Sequence, residues 1–236
     1  MRSARVHKSL KRMDAVELVP EVYDCFSYFH KDGNAVLADP RIRRFVDDGR
    51  NFLLMRPEKY DVITVDPAPP IWSAGTVNLY SREFFVLCKE HLNQGGVMSL
   101  WLPPAAFAES AMIMSTFVSV FPNAYVFGGP VYPGLYLLGF QEGSASGFER
   151  FQDCNFDPAI LADINEWGKI FPSPASLSEL MILSPEQFST LFTGEPIITD
   201  DHPYTEFPLW RALFDSRKRI LMDARLLRAI RDQVPK

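Results

Sequence analysis

Three acidic residues stand at the ends of three short apolar segments, and these carboxylates are Glu17, Asp48 and Asp66. The segments cover residues 13–19, 42–46 and 60–65. Short apolar segments separated by helical patterns predict parallel strands of an α/β sheet. Ligands bind just beyond the carboxyl ends of such strands. We therefore expect the three carboxylates to point at one crevice.

Glu17 and Asp48 each have a chemical and a structural interpretation. A carboxylate at the position of Glu17 suits the two vicinal hydroxyls of a ribose, because it offers two acceptor oxygens; the alternative is a solvent-exposed loop acid. Asp48 suits contact with an adenine amino group, since Gly49 lets the backbone approach the ring closely. The alternative for Asp48-Gly49 is an ordinary turn.

Asp66 lies between an apolar strand and a loop that Pro67, Pro69 and Pro70 stiffen. Such a carboxylate suits the uptake of a proton from an amine, or the positioning of a cationic amine. The alternative is a cap or turn residue. Trp72 and Tyr80 flank the loop that follows, either as a lid over the crevice or as cover for the sheet.

The segment 199–207 (TDDHPYTEF) gathers four ionisable side chains around an X-Pro bond. His202 is its single nitrogen ligand, and metal sites of this kind use several. We therefore interpret the segment as a structured loop that packs the C-terminal part onto the sheet, and we expect no metal site.

The apolar pattern predicts the elements that position these residues. A helix should begin at Pro20, with Val22, Cys25, Phe26 and Phe29 as its core-facing stripe. The other predicted helices cover residues 51–55, 81–91 and 105–121, and further strands cover 97–102, 124–127 and 135–140, the last two pairing antiparallel. A small-residue linker at 143–147 separates domain 1–142 from a mostly helical extension, 143–236, with helices at 159–168, 176–193 and 209–233.

Composition limits the class of function. The 236 residues are 47% hydrophobic and 22% charged, an ordinary globular composition. The formal net charge is −5, so there is no excess of positive charge to suggest binding to nucleic acid. The three cysteines (Cys25, Cys88 and Cys154) are widely spaced, as expected of reduced thiols. No membrane segment or signal peptide is evident, and we expect a cytoplasmic protein.

Seven motifs occur in a characteristic order, at residues 16–22 (VELVPEV), 39–41 (DPR), 46–53 (VDDGRNFL), 60–63 (YDVI), 79–85 (LYSREFF), 95–97 (GGV) and 101–103 (WLP). Together they resemble the spermidine synthase (polyamine aminopropyltransferase) family. The resemblance covers most of residues 13–140 and returns at 174–209. It is greatest to spermidine synthase-like, often membrane-fused proteins, whose tails carry a segment similar to residues 199–207.

The resemblance implies an S-adenosylmethionine-methyltransferase-like Rossmann sheet and the transfer of an aminopropyl group to an amine. Decarboxylated S-adenosylmethionine would be the co-substrate, with no bound prosthetic group. By position, Glu17 would hold the ribose hydroxyls, Asp48 with Gly49 the adenine, and Asp66 would be the catalytic aspartate. The implied partners are small nucleoside and amine substrates, and a homodimer is a candidate assembly because family members often dimerise.

The sequence departs from the family pattern in two places. A second aspartate usually stands three residues after the first, where this chain has Pro69; losing one carboxylate should weaken the binding of a dication by about 1–3 kcal/mol. The family's first strand, its Gly-rich loop and its N-terminal hairpin domain have no counterpart. We therefore expect an N-terminally truncated sheet, in which residues 1–12 are the end of the first helix.

Two other functions are alternatives. The loop at 66–70 is weakly similar to the Asp/Asn-Pro-Pro loop of some amine methyltransferases, which suggests an S-adenosylmethionine-dependent methyltransferase, but Asp48-Gly49 and the motif at 79–81 argue against it. A chain without the first strand also suggests a non-catalytic remnant or an interaction module.

Overall fold

The computed structural model describes residues 1–67, 71, 73–129, 134–141, 157–166, 179–206 and 221–233. Its strands are β1 Met13–Glu17, β2 Ile42–Val46, β3 Tyr60–Val65, β4 Leu92–Leu102, β5 Ala105–Ala106, β6 Ala124–Gly128, β7 Leu135–Phe140, β8 Met181–Leu183 and β9 Leu221–Met222. Its helices are α1 Arg2–Arg5, α2 Glu21–Phe29, α3 Gly33–Leu37, α4 Gly49–Leu54, α5 Ala74–Val77, α6 Arg82–Glu90, α7 Phe107–Val120, α8 Pro158–Ile164, α9 Pro185–Phe192 and α10 Ala224–Gln233. This alternation confirms the α/β class.

The chain divides into two compact units, residues 1–57 with 154–174 and residues 58–153 with 175–236. In the first unit, β1 and β2 pair in parallel, from Met13 opposite Ile42 to Glu17 opposite Val46. The Tyr23 hydroxyl of α2 lies 2.7 Å from the Ala15 carbonyl oxygen and 3.1 Å from that of Phe45, so its single proton is shared between acceptors on both strands.

The predicted apolar stripe of α2 was wrong. Tyr23 is the buried residue of this helix, whereas Val22 and Phe29 are 46% and 81% exposed and Cys25 is also exposed. The spacing i, i+3, i+4, i+7 shows which residues share a helix face, but it does not show what covers that face. In the described residues the two-stranded sheet offers too little area to bury the whole stripe, and the helix packs through Tyr23.

A group of ion pairs joins α1 to the loop before β2. The Asp39 carboxylate accepts hydrogen bonds from the Arg41 backbone N–H and guanidinium at 2.8–3.0 Å and from the Arg5 Nε–H at 3.1 Å. These donors, above all the Arg41 side chain, hold the pKa of Asp39 well below its ordinary value. The first unit is therefore stabilised by a carboxylate that must remain ionised.

We expect Asp39→Asn to destabilise the protein at neutral pH, with an effect that fades in acid. Because the folded pKa is lowered, the stabilisation is present above the unfolded pKa of about 3.8 and is lost as the pH falls through the folded pKa. Urea unfolding at a series of pH values should show the gap between wild type and variant narrowing from about pH 5 to about pH 2. A difference in the free energy of unfolding that stays constant over this pH range would contradict an ionic origin of the stabilisation.

In the second unit, five strands form one sheet in the order β3-β4-β7-β6-β8. β3 and β4 are parallel, and the other neighbours are antiparallel, which confirms the predicted antiparallel pair at 124–127 and 135–140. The strand predicted at 97–102 begins earlier than expected: β4 starts at Leu92, so Gly95 and Gly96 lie inside it. Gly95 has a φ of 75°, where glycine is favoured, and the register with β3 shifts beside it, as in a β-bulge.

The core of this unit is aromatic. α7 is buried along almost its whole length, and the Phe117 ring packs edge-on against Phe85 and stacks on Phe121 at centroid distances of 5.2 and 5.1 Å. Gly139 of β7 makes room for this cluster, because a Cβ atom there would stand 2.5 Å from Cγ of Phe121. Phe121 is itself fully buried, in an interior that is expected to be close-packed.

We expect Gly139→Ala to lower the free energy of unfolding by about 1–3 kcal/mol through overpacking against Phe121. Chemical denaturation followed by circular dichroism would measure the loss. Gly75→Ala is the matched control, since a Cβ atom at Gly75 meets nothing within 4 Å. Equal stability of the two variants would show that Phe121 yields without cost.

The predicted helix over 176–193 was wrong in its first part. Met181–Leu183 form β8, which pairs antiparallel with β6, and the helix α9 begins only at Pro185, after a capping box formed by Ser184 and Gln187.

Some predicted features lie outside the described residues, namely the linker at 143–147, the domain boundary at residue 143, Trp72 and Cys154. No helix among the described residues has the length and apolar character needed to cross a membrane.

Candidate functional site

Glu17 and Asp48 are brought to the same edge of the β1–β2 sheet. Glu17 is the last residue of β1 and pairs with Val46, two residues before Asp48. The Asp47 backbone N–H continues the ladder by donating to the Glu17 carbonyl oxygen at 3.1 Å. Because the strands are parallel, their carboxyl ends meet at this edge, as the sequence predicts.

Asp48 is the N-cap of α4. Its Oδ1 atom accepts hydrogen bonds from the backbone N–H groups of Arg50 and Asn51, both at 2.9 Å. Among the described residues no donor contacts Oδ2. The cap fixes the orientation of the carboxylate and leaves one oxygen to accept a hydrogen bond from a ligand amino group.

Glu17 and Gly49 complete this edge. The Glu17 Oε1 atom lies 3.3 Å from the backbone nitrogen of Val19, so the half-buried side chain turns back over the end of β1. Gly49 is exposed, and a Cβ atom added to it would meet nothing within 4 Å. Gly49 is therefore not required by packing, and the space beside it is open to a ligand.

Asp66 belongs to the second unit, immediately after β3. The three carboxylates do follow successive strands, as predicted. They lie on two different sheets, however, because β3 pairs with β4 and not with β1 or β2. Asp66 is an exposed residue, yet the surrounding protein removes part of the hydration of its carboxyl group and raises its pKa. A raised pKa favours the uptake of a proton.

Tyr80 lies at the same edge of the second sheet. β3 and β4 are parallel, so the connection that contains α5 and α6 leaves from the carboxyl end of β3, and Tyr80 stands just before α6. The side chain is 0% exposed, which agrees with the interpretation as cover for the sheet. Burial and then the charge of Asp66 raise the pKa of Tyr80, so it remains a neutral hydroxyl in the physiological range. The sequence pattern had placed Tyr80 beside the loop after Asp66, but it did not indicate that the hydroxyl is buried.

The segment 198–206 packs on α6 and α7. Ile198 joins the two helices: its N–H donates to Thr116 Oγ1 at 2.9 Å, and its carbonyl accepts from the Arg82 N–H at 2.8 Å. The Asp200 N–H donates to Glu83 Oε2 at 3.1 Å. These contacts confirm a structured loop. Among the described residues no group of three His, Cys, Asp or Glu side chains could hold a metal ion.

Comparison with known proteins identifies the family. Residues 1–138 match the family model described as the spermine/spermidine synthase domain. The chain belongs to this family. Polyamine aminopropyltransferase 1 of Pseudomonas aeruginosa is 34% identical over 99 residues, which are 42% of this chain and 34% of that protein. The polyamine aminopropyltransferase of Clostridium perfringens is 28% identical over 172 residues, which are 70% of this chain and 56% of that protein.

Solved structures of spermidine synthases share the fold. The enzyme from Thermotoga maritima has a TM-score of 0.56 at 19% identity, and the match covers 80% of this chain and 62% of that one. A spermidine synthase in complex with the transition state analogue AdoDATO gives the same TM-score and identity, over 76% of this chain. The chain spans about one third of the first relative's length and just over half of the second's.

We expect Asp48→Asn to weaken the binding of a nucleoside at this edge, without unfolding α4. Asparagine keeps a carbonyl oxygen for the cap, but it replaces Oδ2 by an NH2 group, a donor that cannot accept from an adenine amino group. Isothermal titration with methylthioadenosine should show at least about tenfold weaker binding, with an unchanged unfolding midpoint. Asp47→Asn, the same change at the preceding exposed position, is the control. Equal affinity of wild type and both variants would mean that Asp48 acts only as a helix cap and does not contact the nucleoside.

Proposed function

We propose that this protein transfers the aminopropyl group of decarboxylated S-adenosylmethionine to an amine. The observation that carries the proposal is the pair Glu17 and Asp48 at adjacent parallel strand ends, in a chain that belongs to the spermine/spermidine synthase family. Two carboxylates there suit the hydroxyls of a ribose and the amino group of an adenine. The open space at Gly49 supports the same assignment.

The reaction would form a C–N bond and break a C–S bond. The amine nitrogen attacks the aminopropyl carbon next to the sulfonium sulfur, and the sulfur leaves with the bonding electron pair as the thioether of methylthioadenosine. One proton leaves the nitrogen and passes to the Asp66 carboxylate. The raised pKa of Asp66 supports this role, since it makes the carboxylate a better proton acceptor than an ordinary aspartate. The sulfonium is already an activated leaving group, so orientation supplies much of the rate.

In this proposal the acceptor amine is bound by a single carboxylate, whereas a polyamine carries several positive charges that further carboxylates could bind. Residues 67–72 contain three prolines and no acidic residue, so no second carboxylate follows Asp66 closely in the chain. We therefore propose that the reacting nitrogen is recognised mainly through Asp66. A diamine should have little advantage over a monoamine of the same length.

The first experiment is a calorimetric titration of the protein with methylthioadenosine, and with S-adenosylmethionine in parallel. Saturable binding of methylthioadenosine supports the proposal and would be followed by turnover assays with decarboxylated S-adenosylmethionine. Preference for S-adenosylmethionine would favour a methyltransferase instead. Binding without turnover would favour a nucleoside-binding protein that no longer catalyses transfer, and a folded protein that binds neither nucleoside would overturn the proposal.

We expect Asp66→Asn to reduce turnover by at least about 100-fold, the usual contribution of a general base, without weakening methylthioadenosine binding. The wild-type rate should fall as the pH drops through the Asp66 pKa, because the base acts in its ionised form; with a raised pKa this fall lies above the ordinary aspartate range. Asp61→Asn, the same change at the start of β3, is the control, because asparagine can still accept the hydrogen bond from Asn93. Turnover within a few-fold of wild type in Asp66→Asn would remove Asp66 from the mechanism.

A further inference from the structure

Tyr80 carries a buried hydroxyl group that the fold itself leaves unused. Its side chain is fully buried, and its Oη atom has no hydrogen-bond partner among the described residues. Buried polar groups are nearly always paired, because an unpaired one has lost its hydration without compensation. A phenylalanine would fill the same volume without this cost. The hydroxyl therefore calls for an explanation other than packing.

The position of Tyr80 indicates which group could use the hydroxyl. Parallel pairing of β3 with β4 places the start of their connection at the carboxyl edge, where Asp66 ends the strand and Tyr80 precedes α6. Asp66 is near enough for its charge to act on the Tyr80 hydroxyl. The Ser81 side chain caps α6 by accepting from the Phe84 N–H at 3.3 Å, which fixes the backbone next to Tyr80.

We propose that Tyr80 is a positioning residue for Asp66. Its hydroxyl group donates a hydrogen bond to one oxygen of the ionised carboxylate, so that the other oxygen faces the amine. A carboxylate held at one oxygen presents the second in a single direction, which favours proton uptake from a correctly placed nitrogen. This role in turnover rests on the proposed function, in which Asp66 is the proton acceptor.

The consequence of the hydrogen bond has a definite sign. A donor to the charged form of a carboxyl group favours ionisation, so removing it makes the group a weaker acid. Tyr80→Phe removes the hydroxyl oxygen and keeps the ring. We expect the acid dissociation constant of Asp66 to fall about tenfold in this variant.

The test is a ¹³C NMR titration of the Asp66 carboxyl carbon in wild type and in Tyr80→Phe, assigned with Asp66→Asn. Tyr28→Phe, the same chemical change at a residue that is 85% exposed, is the matched control. A lower dissociation constant in Tyr80→Phe alone supports the proposal. An unchanged constant would overturn it, and so would an increase, which would mean that the hydroxyl accepts from the protonated carboxyl.

This measurement needs no turnover, so its outcome is separate from that of the proposed function. If the nucleoside titration fails and the Asp66 titration still depends on the Tyr80 hydroxyl, the positioning contact exists and the proposed reaction is wrong. If the protein is active, the acid limb of its rate profile should move to higher pH in Tyr80→Phe. A uniform loss of rate with no such displacement would indicate a structural effect and would overturn the positioning role.

Discussion

The parallel pairing of strands is the constraint on which the candidate site depends. An antiparallel partner would place the residue after β2 at the opposite end of β1, so Glu17 and Asp48 share an edge only because the two strands run in the same direction. The Tyr23 hydroxyl reinforces the pair, since it lies within hydrogen-bonding distance of one carbonyl oxygen on each strand. The same rule applies in the second unit, where β3 and β4 place Asp66 and the turn before α6 at one edge.

The strands were predictable because strong local signals bound them. β2, β3 and β7 begin and end at the predicted residues, and β2 and β3 are closed by Asp-Gly and Asp-Pro sequences that stop regular structure. The candidate site residues follow from the same signals, because an acid after an apolar strand is a local pattern. The structural alternative for Asp48-Gly49 was an ordinary turn, whereas the structure makes Asp48 the N-cap of α4. In this case the structural and chemical interpretations are compatible, since a capping carboxylate uses one oxygen.

The features that the sequence did not predict are non-local. The exposure of Val22 and Phe29 depends on how much sheet is available to cover α2, which the period of the helix does not contain. β8 has only three residues, and it is a strand because β6 offers it an edge, not because of its own pattern. The burial of the Tyr80 hydroxyl, 14 positions after Asp66 in the chain, depends on packing around the crossover between two parallel strands.

Asp48 and Asp66 show how the surroundings give the same residue type different uses. Asp48 is surrounded by donors that the backbone supplies, so its geometry is fixed and its remaining oxygen can serve recognition. Asp66 receives no such backbone donors among the described residues, and partial loss of hydration increases its affinity for a proton. Recognition requires an acceptor that stays in place, whereas proton transfer requires one that can change its charge. The buried hydroxyl of Tyr80 carries no charge, so in the role proposed for it Tyr80 would orient Asp66 and leave that capacity intact.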